Sequence, residues 1–213
     1  MLDRTVFYAR SGGQPGDTGV LRWPGGEVSV NDTVKGAGGA ILHVPAEGAV
    51  LPAVGALVEA EIDWDRRYRL MRMHTAMHLL CSLIKGAAVT GGAVGVDRSR
   101  LDFDLPVQPA KDELERQLNV LIEADLPVSF EWVDEDRLDS DPGLVRTLSV
   151  QPPRGTGRLR LLRIGTDETL VDLQPCGGTH VARTGEIGRM QIVKIENKGR
   201  QNRRITISPA ASA

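Results

Sequence analysis

The chain has 213 residues, with 26 lysines and arginines against 28 aspartates and glutamates, a formal net charge of −2, and a hydrophobic fraction of 41%. This composition is typical of a globular protein with one large domain or two small ones. It excludes a strongly basic nucleic-acid tail, an acidic disordered chain and a collagen-like repeat. Since no apolar run approaches the ~20 residues of a membrane span and no secretory signal pattern follows Met1, we expect a cytoplasmic protein without a membrane partner.

The first 62 residues are rich in glycine and alternate short β-like runs with turn residues. Such a texture predicts a small, tightly turned β-rich unit. The predicted strands are Thr5–Tyr8, Thr18–Arg22, Glu27–Val30, Ala40–Val44 and Leu57–Ile62.

The next segment predicts a buried helix. Neither Gly nor Pro occurs from Asp65 to Lys85, and either Asp63 or Asp65 can cap the helix start. After Met73 the apolar residues cover most of the helix circumference, which is typical of a helix inside a core rather than on its surface.

The remaining sequence predicts an α+β domain over residues 63–213, with an antiparallel sheet packed against helices. A glycine-rich stretch, Gly86–Gly95, precedes a second helix at Ala110–Ala124, which follows the helix-start signal Pro109. The predicted strands are Arg100–Leu105, Val128–Val133, Leu159–Ile164, Thr169–Leu173, Met190–Glu196 and Arg204–Ser208.

Two pairs of residues have the spacing of metal ligands. His74 and His78 lie four residues apart in the predicted helix, so both imidazoles face the same side, and Cys176 and His180 lie four apart in a glycine-rich loop. Three imidazoles and one thiolate suit a single tetrahedral Zn²⁺ per chain. The plainer alternative is that the histidines are ordinary core or surface residues and that Cys176 is a small buried hydrophobe.

Two further residues of these types are assigned to packing. His43 is isolated in the β-rich unit, and we expect it to be structural. Cys81 lies seven residues after His74, a full turn beyond a metal held at i and i+4, so we interpret it as core packing beside the site.

Several motifs, in order along the chain, closely resemble the editing domain of alanyl-tRNA synthetase and its free-standing relatives, the AlaX editing proteins. The resemblance covers nearly the whole chain, and it implies a small barrel-like N-terminal domain at residues 1–62 followed by a two-layer α/β editing domain with a zinc site. The matching segments are Phe7–Gly19, His74–His78 (HTAMH), Thr90–Gly92, Arg100–Phe103, Cys176–His180 (CGGTH) and Thr184–Gly188 (TGEIG).

The resemblance implies a function, namely hydrolysis of the ester that joins a wrong amino acid, chiefly serine and secondarily glycine, to the 3′ end of tRNA(Ala). It implies that His74, His78, Cys176 and His180 bind zinc and form the catalytic site together with Thr90, whose position corresponds to a threonine that recognises the serine hydroxyl. The implied substrate-binding residues are Gly12, Gly13 and Gln14 of the glycine-rich motif, Gly91 and Gly92 beside Thr90, and the basic residues Lys198, Arg200, Arg203 and Arg204.

Basic clusters predict where the acceptor end of the mischarged tRNA(Ala) binds. Positive side chains are concentrated at Lys194–Arg204 and Arg154–Arg163, with a third group, Arg66–Arg72, at the start of the histidine helix. Each cluster can neutralise RNA phosphates, although a solvated charged face is the plainer interpretation. Because only three Phe, three Trp and two Tyr are present, we expect contacts to the RNA backbone and the terminal adenosine rather than extensive base stacking.

Other functions remain open at the level of sequence. The chain could be a zinc-stabilised RNA-binding module without catalysis, or it could edit another tRNA, such as tRNA(Thr), because threonyl-tRNA synthetase carries a similar domain. A metal hydrolase of another ester or amide is a third alternative. Peptidase chemistry is disfavoured, since no Glu lies between His74 and His78 where metalloproteases place their general base. No feature indicates an obligate protein partner.

Overall fold

A computed structural model of the chain describes residues 1–147, 155 and 157–211. The described residues form a mixed α/β fold with antiparallel sheets, which confirms the predicted class in that general form. They divide into two compact units, Met1–Arg69 and Leu70–Ala213. The assignment of residues 1–62 and 63–213 to separate functional domains remains a prediction.

The first unit contains a four-stranded antiparallel sheet in the order β3-β2-β1-β4. This sheet is open, with β3 and β4 at its edges, so the expected barrel-like closure is not confirmed. The strands are β1 (Gly19–Trp23), β2 (Gly26–Lys35), β3 (Ile41–Pro45) and β4 (Glu59–Ile62).

The predicted first strand, Thr5–Tyr8, is not formed as a strand. Tyr8 pairs locally with Asp17 instead: its N–H donates to the carboxylate at 2.6 Å, and its carbonyl accepts from the Asp17 N–H at 2.9 Å. Phe7 is nevertheless buried, and it packs with Leu21, Val28 and Val30 in the core of this unit.

The predicted buried helix is α1, Trp64–Leu83. Asp63 caps it, because its carboxylate accepts from the Arg66 N–H at 3.0 Å. Every residue from Met73 to Ser82 is buried, as the apolar distribution predicts. The second predicted helix is also present, as α2, Lys111–Glu123.

The described residues of the second unit form two antiparallel sheets, one of four strands in the order β10-β11-β6-β5 and one of three in the order β7-β8-β9. A short helix, α3 (Asp136–Ser140), follows β7. The strands are β5 (Val89–Ala93), β6 (Ser99–Asp104), β7 (Val128–Asp134), β8 (Arg158–Ile164), β9 (Asp172–Pro175), β10 (Met190–Asn197) and β11 (Asn202–Pro209).

The TGEIG motif connects the helices of the second unit to the loop that follows β9. Thr184 is buried, and its hydroxyl donates to the Leu121 carbonyl of α2 at 2.9 Å. The Ile187 carbonyl accepts from Arg72 Nε of α1 at 2.8 Å. The motif therefore fixes the chain just beyond Cys176–His180 relative to the histidine helix.

Candidate metal centre

The structure brings the four predicted ligands together. One ligand atom from each of His74, His78, Cys176 and His180 lies within 4.8 Å of the others. Cys176 Sγ is 3.3 Å from His180 Nε2 and 3.7 Å from His74 Nε2. The helix supplies the first pair from successive turns of one face, and the loop after β9 supplies the second.

Short contacts hold the loop against β8 and around its own sulfur. The Cys176 N–H donates to the Arg160 carbonyl of β8 at 3.1 Å. The Gly178 N–H donates to Cys176 Sγ at 3.4 Å, a contact that favours the thiolate form of the sulfur. The CGGTH segment therefore turns tightly around its own ligand sulfur.

Asp172 orients one of the histidines. Its Oδ2 lies 2.9 Å from His78 Nδ1 and also accepts from Gln174 Nε2 at 2.7 Å. With a carboxylate on one side, Nδ1 carries the proton, so the lone pair of Nε2 is available to a metal ion. Asp172 is 1% exposed, which keeps this contact away from competing water.

Thr75 orients a second histidine. Its hydroxyl donates to the Met71 carbonyl at 2.9 Å and lies 3.2 Å from His180 Nδ1. A hydroxyl has a single proton, so here its oxygen accepts the Nδ1–H of His180. Nε2 of His180, the atom that faces Cys176, is therefore left as an electron-pair donor.

The charges within the cluster favour the ligand forms of Cys176 and His180, whereas without a metal they favour the protonated form of His78. Burial raises the pKa of the Cys176 thiol, but the positive charge of His74 and His78 outweighs burial and holds this pKa well below its usual value. Burial lowers the pKa of His78, but the Cys176 thiolate and the hydrogen bond to Asp172 raise it on balance. Burial, with the charge of His74, lowers the pKa of His180 to about 3, so this imidazole is neutral.

These residues fit a tetrahedral zinc ion. Bond lengths of about 2.0 Å to nitrogen and 2.3 Å to sulfur place neighbouring ligand atoms roughly 3.3–3.6 Å apart. The two sulfur–nitrogen distances, 3.3 and 3.7 Å, lie close to that range. Cys81 is buried but does not belong to the ligand group.

Thr90 lies in the bulge of β5, between Val89, which pairs with Phe103, and Gly91, which pairs with Asp102. Its hydroxyl oxygen is among the buried side-chain atoms of the described residues that have no hydrogen-bond partner. Bulges redirect a side chain out of the regular strand pattern. A buried hydroxyl of this kind is suited to bind a polar group of a substrate.

Gly91 and Gly92 follow Thr90, and both lie so close to side chains of β6 that an added Cβ would make a tight contact. A Cβ on Gly91 would come within 3.3 Å of the Asp102 carboxylate, and one on Gly92 within 3.2 Å of the Leu101 side chain. The absence of a side chain thus lets β5 approach β6 closely beside Thr90.

Gly12, Gly13 and Gln14 lie in the first unit, where they form a tight turn. Gly12 and Gly13 have φ values of +56° and +83°, and the Gln14 N–H donates to the Ser11 carbonyl at 2.9 Å. Positive φ at both central positions is typical of a type I′ turn, which explains the two glycines. Their role in substrate binding remains a prediction.

The predicted basic residues differ in their surroundings. Lys198 and Arg200 are exposed in the loop between β10 and β11. Arg203 is buried, and its guanidinium donates to the Pro106 carbonyl at 2.9 Å, while Arg204 forms a two-point ion pair with Asp102. Of the Arg154–Arg163 cluster, Arg154 lies outside the described residues. Exposure favours Lys198 and Arg200 for phosphate contacts, and the assignment of all four remains a prediction.

Sequence reasoning missed two residues of the site, Asp172 and Thr75. Asp172 stands four residues before Cys176, and Thr75 is the second residue of the HTAMH motif. An acidic residue close to a ligand pair is a weak signal for a carboxylate that orients a histidine. The threonine carries no such signal, because its contact with His180 bridges 105 positions.

Comparison with known proteins supports the resemblance. Residues 159–206 match the family model described as the second additional domain of threonyl and alanyl tRNA synthetases, and residues 1–66 match the model of class II (A) tRNA synthetases. An alanyl-tRNA editing protein AlaX-M from Methanosarcina acetivorans is 38% identical over 216 residues, covering 96% of this chain and 86% of that protein. The chain belongs to the AlaX-M family. The Saccharolobus solfataricus AlaX-M protein is 34% identical over 98% of this chain and 89% of its own length.

The chain is also similar to part of a larger enzyme. The alanine–tRNA ligase of Pyrobaculum aerophilum is 40% identical over 205 residues, which cover 92% of this chain. The match spans only 22% of the ligase. Among the described residues, no helix combines the length and apolar character needed to cross a bilayer.

Proposed function

We propose that this protein hydrolyses the aminoacyl ester of mischarged tRNA(Ala), acting on seryl-tRNA(Ala) chiefly and on glycyl-tRNA(Ala) secondarily. The observation that carries the proposal is a buried group of three histidines and one cysteine within a chain similar to AlaX-M proteins over nearly its whole length. An aminoacyl ester is already activated, so the protein has to position the ester and stabilise developing charge rather than supply a strong nucleophile.

Zinc is the metal that we propose for the site, one ion per chain, held by His74, His78, Cys176 and His180. When bound, it supplies a Lewis acid that polarises the ester carbonyl. The chain's own contribution is orientation: Asp172 and Thr75 fix the protons on the outer nitrogens of two histidines. Their contacts hold the outer nitrogens protonated, so that the inner nitrogen of each ring is the atom that would bind the ion.

Selection for serine is assigned to Thr90. Its buried hydroxyl has no hydrogen-bond partner in the free protein. The hydroxyl of a seryl group would form that hydrogen bond, whereas the methyl group of an alanyl group would not. A buried polar group without a hydrogen bond costs about 1–3 kcal/mol, so serine binds more favourably than alanine by about this amount. A purely apolar pocket has no such group and cannot discriminate in this way. Gly91 and Gly92 belong to the same bulged strand, and we assign them to the wall of this pocket.

The proposal is tested with tRNA(Ala) charged separately with serine and alanine, together with zinc content measured on the same sample. We expect rapid loss of serine, retention of alanine and about one zinc per chain. Cys176→Ala removes a ligand, so it should lower both the zinc affinity and the deacylation rate by more than the roughly 10–100-fold that is typical of losing a residue which only orients a ligand. Cys81→Ala, which removes a buried thiol outside the ligand group, is the matched control and should preserve both.

A second candidate is a zinc-stabilised RNA-binding module, and a third is editing of tRNA(Thr). The shared family model of threonyl and alanyl synthetases is the observation that keeps tRNA(Thr) in view. Hydrolysis of serine from tRNA(Thr) in preference to tRNA(Ala) would favour the third candidate. A folded, zinc-loaded protein that binds both tRNAs without deacylating either would favour the second.

A further inference from the structure

One face of the three-stranded sheet leads from the metal centre to an exposed aromatic surface. Side chains alternate between the two faces of a strand, so register assigns each residue to a face. Asp172 and Gln174, which support His78, lie opposite Ile164 and Leu162 in the β8–β9 pairing. The same face continues to the residues Arg160 on β8 and Phe130 and Trp132 on β7.

Arg160 links this surface to the ligand loop. Its guanidinium carbon lies 3.6 Å from the centre of the Phe130 ring, and its Nη1 donates to the Gly178 carbonyl at 3.0 Å. The Phe130 ring in turn lies 6.0 Å from the His180 ring, centre to centre. The aromatic surface therefore begins directly beside a proposed metal ligand.

The aromatic side chains are accessible. Phe130 is 42% exposed and Trp132 is 58% exposed. Trp132 is directly opposite Arg160 in the strand pairing, and Arg158 is the next residue on the same face. Exposed aromatic rings interleaved with arginines complement the π-face and the negative backbone of a nucleotide.

We propose that Phe130, Trp132 and Arg160 form a stacking surface for the base of the terminal nucleotide of an RNA whose 3′ end carries the ester. The inference rests on the proposed function, since it is the esterified end that enters the metal centre. The base and the ester belong to one nucleoside and are separated by a single ribose, which matches a surface adjacent to His180. Arg160 also holds the Cys176–His180 loop in place. Its guanidinium donates to the Gly178 carbonyl, and its own carbonyl accepts from the Cys176 N–H.

The test uses two RNA trinucleotide probes, CpCpA and the same probe with an abasic ribose at its 3′ end. Stacking of one base on an aromatic side chain is worth about 1–3 kcal/mol, so the metal-loaded wild type should bind the intact probe about tenfold more tightly. Trp132→Ala should bring the affinity ratio close to one, and Trp132→Phe should restore most of it. Trp64→Ala is the matched control, because Trp64 is also exposed, at 55%, and should keep the ratio.

Deacylation of seryl-tRNA(Ala) by the same samples separates this inference from the proposed function. We expect Trp132→Ala to raise KM about tenfold while kcat stays within about twofold. If wild type hydrolyses no aminoacyl-tRNA but keeps a Trp132-dependent base preference, the stacking surface stands and the editing function fails. If Trp132→Ala matches wild type in KM and in the probe ratio, the stacking surface is overturned although editing stands.

Discussion

At the scale of single residues, the metal centre depends on neighbours that do not touch the metal. Thr75 uses its single proton on the Met71 carbonyl, so its oxygen receives the proton of His180 Nδ1. Asp172 acts in the same way on His78 and is itself held by Gln174. Each contact occupies Nδ1 of its ring, so Nε2 of both imidazoles is the nitrogen left to bind a metal.

The role of the Thr90 hydroxyl can be tested by a single substitution. Thr90→Val keeps the shape of the side chain and removes a buried hydroxyl that has no partner, so the free protein should be as stable as wild type or about 1 kcal/mol more stable. Its kcat/KM for seryl-tRNA(Ala) should fall about 10–100-fold, while zinc content is unchanged. Deacylation kinetics and urea unfolding measure the two effects.

The matched control is Thr90→Ser, which keeps the hydroxyl and should retain the preference for serine over alanine. An unchanged serine-to-alanine ratio in Thr90→Val would remove the selective role from this residue. A loss of stability in Thr90→Val would show that the hydroxyl is satisfied in the free protein.

The sequence predicts the ligands well and their supports poorly, for a physical reason. Two i, i+4 pairs of His and Cys are rare in a chain with four histidines and two cysteines, so their spacing alone indicates a metal site. Asp172 and Thr75 act through partners 94 and 105 positions away, respectively, and local sequence contains no information on such contacts.

At the scale of secondary structure, the long helices are predictable and the short strands less so. The pattern of α1 extends over more than five turns and carries its own cap at Asp63, so the local sequence is enough to indicate a helix, although packing of its buried residues supplies most of its stability. β5 contains two glycines and forms because β6 supplies its hydrogen-bond partners. β9 is Asp172–Pro175 rather than the predicted Thr169–Leu173, since its register is set by pairing with β8.

Asp102 of β6 forms an ion pair with the neighbouring strand β11. Arg204 of β11 donates to both of its carboxylate oxygens, and Arg100 adds a third contact. The hydrogen bond from Arg204 outweighs burial and lowers the pKa of Asp102 below its ordinary value. A depressed carboxyl pKa contributes stability that is complete above the unfolded pKa of about 4 and is lost as the pH falls through the folded pKa.

Asp102→Asn should therefore reduce the free energy of unfolding by about 1 kcal/mol at pH 7, and the difference from wild type should shrink as the pH falls below about 4. Urea unfolding at several pH values measures both. Asp167→Asn is the control, because Asp167 pairs with Arg163 at a side-chain exposure of 91% and should have little effect. A difference that stays constant down to acidic pH would contradict the ion-pair explanation.

At the scale of the whole molecule, the chain consists of two compact units that carry different predicted functions. All four proposed ligands lie in the second unit, Leu70–Ala213, whereas the glycine turn at Gly12 and Gly13 lies in the first, Met1–Arg69. The first unit has its own buried apolar cluster, which consists of Phe7, Leu21, Val28 and Val30. Each unit thus has a core of its own, and metal binding is expected to stabilise only one of them.

Metal removal tests this division. Zinc that binds the folded state at 100 times its Kd adds about 2.7 kcal/mol, so chelation should lower the Tm of the second unit by roughly 10 °C. A transition of the first unit, followed through Trp23 of that unit, should not move, because it supplies no ligand. If the second unit keeps its secondary structure at 25 °C while deacylation stops, the metal serves catalysis on an existing fold. If the unit unfolds as zinc leaves and refolds on readdition, the structural role dominates, as expected of an RNA-binding module.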